Sequence, residues 1–260
     1  MKMKTMFPLT LAAVVSTMLI NSAPLRAADT DSRIESSAAN SYVFKTYLKD
    51  DSIKTVSKDG VVTLTGTVAE ESHKLLAEKT LANLPGVKSV DDQLQISGEQ
   101  SAVHTDSWIR KNVKFALMFD RNVSSIRTTV TVTNGIVTLQ GAANSLAQKE
   151  LTAEYAKDID DVKAVKNEMT IDTALPMSVT PQGEEIDDVS ITGEIMCTLL
   201  SHRSTSSMSI SVSTTDGVVT LSGIAQNNAE KSLVTKYATN IRGVTGVNNN
   251  MTLAVPVAAN

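Results

Sequence analysis

The sequence predicts an α+β protein of three tandem small αββαβ domains, each with a three-stranded sheet and two helices on one face. The first observation is an internal repeat: residues 59–96 recur without a gap as 134–171 and 216–253, and the last two copies share 17 identical positions. The second is that each copy has the same succession of turn, strand, amphipathic helix and short strand. At spacings of 75 and 82 residues, the unit is too long for a solenoid repeat but long enough for a domain.

Each copy opens with an Asx-Gly turn, namely Asp59-Gly60, Asn134-Gly135 and Asp216-Gly217. Such a pair between two β-rich runs favours a type I′ hairpin, because both central residues need positive φ. Strands are predicted before the turn over 53–57, 126–133 and 208–214, and after it over 61–64, 136–139 and 218–221. In the second copy, Ile126, Thr128, Val130 and Val132 alternate and should share one face.

A glycine recurs two residues beyond the second predicted strand, as Gly66, Gly141 and Gly223. Within a strand, glycine indicates a bulge or a place where another element comes too close for a Cβ. We therefore assign these residues a structural role and no ligand chemistry.

A helix is predicted after each hairpin. Ser145 with Gln148, and Asn227 with Glu230, have capping-box spacing, whereas Glu70 provides a weaker cap. Apolar positions then recur every four residues and predict one buried face: Leu76, Thr80, Leu84; Leu151, Tyr155, Ile159; Leu233, Tyr237, Ile241. A short strand over 87–96 and its counterparts closes each copy.

A further helix is predicted before each hairpin, over 33–49, 106–119 and 189–201, with Asp106 as the N-cap of the second. The predicted domains are therefore 33–98, 106–172 and 189–254, and fragments 28–98, 104–174 and 186–260 should each fold alone. Residues 173–188 contain Pro176, Pro181 and four acidic residues, which predicts an extended, solvated linker.

One short motif is shared by the second and third domains only. Arg-x-x-Ser-Ser precedes the first strand in both, as Arg121, Ser124 and Ser125 and as Arg203, Ser206 and Ser207. The first domain lacks this motif and is about four residues shorter there.

Residues 1–27 are predicted to be a signal peptide. Lys2 and Lys4 precede an apolar run over 9–20, and Leu25-Arg26-Ala27 gives a cleavage site near Ala27. The mature chain should be exported and have no transmembrane segment, since no later stretch is long and apolar enough. Cleavage leaves 21 basic and 28 acidic residues, a net charge of −7, which disfavours nucleic acid as a partner.

The repeated pattern [DN]-G-[VI]-V-T-L-x-G, a capped helix and V-x-x-V-x-N-x-[ML] resembles the BON-domain family of bacterial envelope proteins. The resemblance covers nearly all the mature chain, and three copies depart from an osmotically inducible periplasmic member that has two. It implies an αββαβ fold, a periplasmic location and a non-catalytic role in envelope stress. Phospholipid binding and chaperone-like activity are both associated with the family, and no catalytic residue is transferred, because the motif is structural.

The residues themselves give little support for an enzyme. His73, His104 and His202 occupy non-equivalent places without metal-ligand spacing, and no phosphate-binding glycine loop is present. The lone Cys197 excludes an intramolecular disulfide framework and is predicted to be a buried thiol on a helix. We therefore expect no catalytic residue, metal or other cofactor.

One helix departs from this background. Within 108–119, Arg110, Lys111 and Lys114 form a basic stripe beside an apolar arc of about 200° that includes Trp108 and Phe115, although packing on one sheet needs little over 100°. Surplus apolar surface beside cations is typical of a helix at an anionic lipid surface. The alternative is that the sheet buries one edge of the arc and the neighbouring helix the other.

Two functions therefore remain open from the sequence. The protein binds phospholipid surfaces through Trp108, Arg110, Lys111, Lys114 and Phe115, or it is a periplasmic chaperone or adaptor that binds exported, unfolded proteins at sheet edges or grooves.

Overall fold

A computed structural model describes residues 23–97, 105–176, 185–205 and 210–254, which form three units. We call 23–97 unit 1, 105–176 unit 2 and 185–254 unit 3. Unit 1 contains α1 (Ala23–Asn40), α2 (Tyr42–Thr46), β1 (Ser52–Lys58), β2 (Val61–Val68), α3 (Glu71–Ala82), β3 (Ser89–Asp92) and β4 (Gln95–Ile96). The first helix thus ends at Asn40, earlier than predicted, and Ser41 begins a separate short helix by capping the amide of Phe44.

Units 2 and 3 repeat this order without the extra short helix. Unit 2 contains α4 (Asp106–Ala116), β5 (Thr128–Thr133), β6 (Ile136–Ala143), α5 (Leu146–Lys157), β7 (Ala164–Asn167) and β8 (Thr170–Ile171). Unit 3 contains α6 (Asp188–Ser201), β9 (Ile210–Thr215), β10 (Val218–Ala225), α7 (Asn228–Asn240), β11 (Gly246–Asn249) and β12 (Thr252–Leu253).

Each sheet is built around its second strand. In unit 1, β1 pairs antiparallel with one side of β2, while β3 and β4 pair parallel with the other side. The other two sheets have the same order around β6 and β10. The predicted class of three tandem α+β units is confirmed, with the difference that the final strand of each unit is broken into two pieces.

An asparagine explains that break in units 2 and 3. The Asn167 Oδ1 accepts the amide of Met169, and its Nδ2 donates to the Lys149 carbonyl of α5 at 2.6 Å. Asn249 makes the equivalent bonds to Met251 and to Lys231 of α7. The side chain therefore occupies the place of a ladder partner and ties the interrupted strand to the helix.

The first strand of unit 2 begins later than the alternation predicts. Thr128 and Val130 are buried, but Ile126 lies in a turn and is 87% exposed. The Ser124 carbonyl accepts a hydrogen bond from the Thr128 hydroxyl at 2.6 Å, and the Ser124 hydroxyl accepts one from the Arg127 amide. These local bonds form a turn around Ile126 and remove it from the sheet.

An aspartate of the first helix binds the hairpin turn in every unit. The Asp106 carboxylate accepts the amides of Asn134 and Gly135 at 2.7 and 2.8 Å. Asp31 does the same in unit 1 and Asp188 in unit 3. The assignment of Asp106 as an N-cap was therefore wrong: Thr105 caps α4, and Asp106 connects the helix to the turn.

The hairpin residues Asp59, Asn134 and Asp216 have φ between 51° and 54°, as the sequence predicts for this turn. The strand glycines Gly66, Gly141 and Gly223 have φ of 114°, 121° and 122°. A Cβ at Gly141 would lie 2.0 Å from the Arg127 carbonyl oxygen, and one at Gly66 would lie 1.9 Å from that of Ser52. No side chain fits where the first strand approaches so closely.

The three units share one continuous hydrophobic core, and α6 lies at its centre. This helix contacts α3 of unit 1, α4 of unit 2, and β9 and α7 of its own unit. Close approach to α3 is possible at Gly193, since a Cβ there would lie 2.6 Å from the Thr80 Oγ1. A helix whose faces are nearly all apolar or small is one that neighbours bury on most sides.

Part of the acidic segment predicted to be a linker, residues 177–184 with Pro181, lies outside the described ranges. Its end is not a solvated linker: Asp187 caps α6 and accepts the Tyr42 amide of unit 1 at 2.6 Å. In the part of the chain that the structure describes, no helix is long and apolar enough to cross a membrane.

Candidate functional site

The apolar arc of α4 is largely buried by several neighbours. Ile109 and Val113 are buried where α4 packs on β5. Phe115 is only 3% exposed and meets Phe119 edge to face at 5.2 Å, and Phe119 meets the ring of Tyr47 from unit 1 at 5.3 Å. The extra width of the arc therefore packs against α5, α6 and, at Phe119, Tyr47 of unit 1, and Phe115 is not part of an accessible lipid-binding surface.

The basic stripe lies on the outer side of the same helix. Arg110 and Lys114, one turn apart, are exposed, and within the described residues neither forms an ion pair. Lys111 and Trp108 are half-buried, and Trp108 packs against the core. Thr105 fixes the start of α4 by accepting the Trp108 amide at 3.3 Å. The sequence-predicted residues thus separate into an accessible pair of cations, two half-buried residues and one core phenylalanine.

Units 2 and 3 meet through a pseudo-twofold contact that the sequence motif did not reveal. The amide of Arg121 donates to the Asn240 carbonyl at 2.8 Å, and the amide of Arg203 donates to the Asp158 carbonyl at 2.9 Å. Each arginine lies 82 residues from its equivalent, as do Asp158 and Asn240. The same surface of each unit therefore binds the other, as in an isologous dimer interface.

Two tyrosines complete this contact, and they also occupy equivalent positions. Tyr237 donates its hydroxyl to the Asp158 Oδ2 at 2.7 Å, while the Asn240 Nδ2 donates to the Tyr155 hydroxyl at 2.8 Å. The two rings lie 5.4 Å apart. Both tyrosines belong to the helical face predicted to be buried, but the repeat does not show that they bury it against each other.

His202 extends the polar cluster at this contact. Its ring stacks on Tyr237 with centroids 4.3 Å apart, and its Nδ1 lies 3.3 Å from the Asp158 Oδ2. Burial raises the pKa of Asp158, but hydrogen bonds from His202, Ser204 and Tyr237 outweigh it and keep the pKa below its usual value. His202 itself is only 1% exposed, so its ring is closed to a substrate, whereas Ser204 at the edge of the cluster is exposed.

The cysteine and the other two histidines lie apart from this cluster in the sequence. Cys197 is fully buried, and burial raises the pKa of its thiol well above the ordinary value, which is characteristic of an unreactive cysteine. His73 contacts Asp51 at 2.6 Å, far from His202 in sequence, while His104 lies outside the described residues. No cluster of three or more His, Cys, Asp or Glu residues that could hold a metal occurs in the described ranges.

The structure thus defines a class: tandem αββαβ modules with a fixed Asp–hairpin contact. A family model for the BON domain matches residues 30–98, 105–173 and 187–255. The chain belongs to the BON-domain family.

Two relatives extend this assignment. The chain is 30% identical over 190 residues to the osmotically inducible protein Y of Escherichia coli (strain K12), covering 73% of this chain and 92% of that protein. It is also 35% identical over 117 residues to an uncharacterized protein encoded in the gshII 5′ region of Anaplasma centrale, covering 45% and 74% respectively.

Two solved structures show a weak likeness. The C-terminal domain of CdsD, a structural protein of the type III secretion system of Chlamydia trachomatis, has a TM-score of 0.23 and 17% identity, with 82% of this chain and 96% of that chain covered. The periplasmic domain of the inner membrane protein PrgH from S. typhimurium has a TM-score of 0.18 and 12% identity, with 78% and 99% covered. Scores this low support no conclusion about this chain.

Proposed function

We propose that this chain is a non-catalytic periplasmic protein of the envelope and osmotic stress response that binds anionic phospholipid surfaces through α4. The similarity to an osmotically inducible protein supports the stress role. The pattern of residues 1–27, with its basic start, apolar run and Ala27, supports export and cleavage. The contacting residues are Arg110 and Lys114, assisted by Trp108 and Lys111 at the edge of the same helix.

The exposed pair Arg110 and Lys114 carries this proposal. Side chains four apart on a helix point in the same direction, so two cations can reach lipid phosphates together. Neither needs to leave an ion pair within the described residues in order to do so. Because the mature chain has a net charge of −7, attraction to an anionic membrane must be local to α4.

A pair of substitutions that removes both charges tests the site. Arg110→Gln with Lys114→Gln should weaken binding to phosphatidylglycerol-containing vesicles by about 1 kcal/mol per charge, or roughly 30-fold in total. Lys45→Gln with Lys49→Gln is the matched control, because it removes two exposed cations with the same spacing from unit 1. Co-sedimentation measures binding, and thermal melting verifies that both variants remain folded.

The fluorescence of Trp108 provides an independent measurement, since it is the sole tryptophan. Its emission should shift to the blue when anionic vesicles are added and should not shift with neutral vesicles. Equal losses of binding in the two double variants, or a wild-type protein that ignores anionic vesicles, would reject α4 as the lipid site.

The outer edges of the sheets favour a second function, that of a chaperone or adaptor for exported, unfolded proteins. Within the described residues, β1, β5 and β9 each pair with a neighbour on one side only. An extended polypeptide can add to such an edge as a further strand. This function predicts that the mature protein suppresses aggregation of an unfolded client equally well with and without the α4 cations.

A further inference from the structure

Glu194 is buried where the three units meet. It lies on α6, it is 0% exposed, and neither of its carboxylate oxygens has a hydrogen-bond partner within the described residues. A buried carboxylate without hydrogen bonds is strongly disfavoured relative to the neutral acid. Nothing in the lipid-binding proposal uses this group.

Arg242 connects the same place to the other two units. Its guanidinium donates to the hydroxyl of Tyr47 in unit 1 and to the Met118 carbonyl of unit 2, the latter at 2.8 Å. The Nε of Arg242 has no partner in the described part of the chain. One side chain of unit 3 therefore joins both other units, within electrostatic reach of Glu194.

Other ionisable groups surround Glu194 without neutralising it. Asp187, at the start of α6, repels its negative charge, and a charge on Glu194 would in turn raise the pKa of the Tyr47 hydroxyl. Glu78 and Lys79 of α3 act on the neighbouring Cys197, which itself interacts with Glu194. On the side of unit 2, Asp120 and Arg121 lie against the 240–244 segment that carries Arg242.

We propose that the Glu194–Arg242 junction is a pH-sensitive latch that holds unit 1 on unit 3 while Glu194 is neutral and releases it when Glu194 ionises. An ionised carboxylate needs water or the guanidinium of Arg242. Water reaches it only if unit 1 moves away from α6, and Arg242 can turn towards it only by leaving Tyr47. Either movement breaks a contact between units.

The direction follows from proton linkage. Burial raises the pKa of Glu194 from 4.5 to about 8 in the closed structure, with Arg242 opposing the shift. The closed form then binds more protons than the open form between these two values. The equilibrium constant for opening should therefore rise about tenfold per pH unit from about pH 5 to pH 8 and level off above it.

Hydrogen exchange measures this opening at the contact itself. The amides of Tyr42 and Val43 donate to Asp187 and Ser190 across the contact between units 1 and 3. After correction for intrinsic exchange rates, their opening constants in the full mature chain should rise about tenfold per pH unit from pH 5 to 8. Leu139 in the central strand of unit 2 should show little change.

Glu194→Gln is the decisive variant, because it keeps the shape and removes the titration. It should make the opening of Tyr42 and Val43 independent of pH, whereas the exposed control Glu150→Gln should behave as the wild type does. If the glutamine variant does not fold, the midpoint of a carbon-13 NMR titration of the Glu194 carboxyl in the wild type tests the proposal instead. A midpoint near 8 supports the latch, and one below 6 overturns it.

Two further outcomes would overturn the proposal. One is a pH dependence that persists in Glu194→Gln. The other is a Leu139 opening constant that follows Tyr42 across the pH range, because Glu194 would then control the stability of the whole fold and not the contact between units.

Discussion

A Cβ at Gly141 would lie 2.0 Å from the Arg127 carbonyl oxygen, and the backbone there has a φ of 121°. Gly141→Ala should therefore lower the free energy of unfolding by about 1–3 kcal/mol through steric strain. The matched control is Gly246→Ala, where the nearest atom to a new Cβ is 3.9 Å away. Denaturant unfolding of both variants checks this, and a Gly141→Ala protein as stable as the control would contradict it.

Asp106 is a residue whose type suggests a hydrogen-bonding role, but the sequence does not show which amides it binds. Aspartate near a helix start predicts capping, and the residue just before it, Thr105, performs that role. The three aspartates precede their turn amides by 28 and 29 residues in every unit. Only the fold shows that this constant spacing is a contact.

Replacing this aspartate should loosen the turn and leave the helix capped. In Asp106→Ala, the amides of Asn134 and Gly135 lose their acceptor, and their exchange protection should fall about tenfold or more, since a bond to a charged group contributes roughly 1.5–3 kcal/mol. Asp160→Ala, which removes an exposed acid of the same unit, is the control. Protection that is unchanged in Asp106→Ala would show that the turn holds without the carboxylate.

The helices and strands that repeat in every unit can be predicted from the sequence, because their periodicity depends on contacts inside one unit. The hairpin turns, the caps at Ser145 and Asn227 and the buried helical face all follow from local pattern. Ile126 was misassigned, because side-chain bonds from Ser124 and Thr128 outweigh alternation. The break in the strand after Asn167 is also not predictable, since an asparagine in a strand does not reveal its helix partner.

The neighbours that bury helices α4 and α6 cannot be predicted from the sequence of one unit. The apolar arc of α4 is too wide for one sheet, and α5, α6 and, at Phe119, Tyr47 of unit 1 bury the rest of it. α6 carries Gly193, Glu194 and Cys197 on faces that other units bury. Contacts between units depend on how the repeats are arranged, and a repeated sequence does not specify that arrangement.

At the level of the whole molecule, the shared core suggests coupled folding and not three independent domains. The sequence predicts that fragments 28–98, 104–174 and 186–260 each fold alone. In the structure, a fragment beginning at 186 would expose the side of α6 that α3 covers, and it would leave Arg242 without Tyr47 and Met118. Cooperativity extends across domain boundaries where such interfaces are apolar and large.

Calorimetry of the intact mature chain should therefore show one transition whose van't Hoff and calorimetric enthalpies agree. Gly193→Leu should break this coupling, because even a Cβ at Gly193 would lie 2.6 Å from the Thr80 Oγ1 and 3.1 Å from its backbone. Displacing α3 should release unit 1 to melt first, in a separate transition of roughly 50 kcal/mol, as expected for about 70 residues near 60 °C. Gly246→Ala should keep the single transition.

Three transitions in the wild type would instead support independent units, and an unsplit transition in Gly193→Leu would show that the contact between α3 and α6 does not couple them.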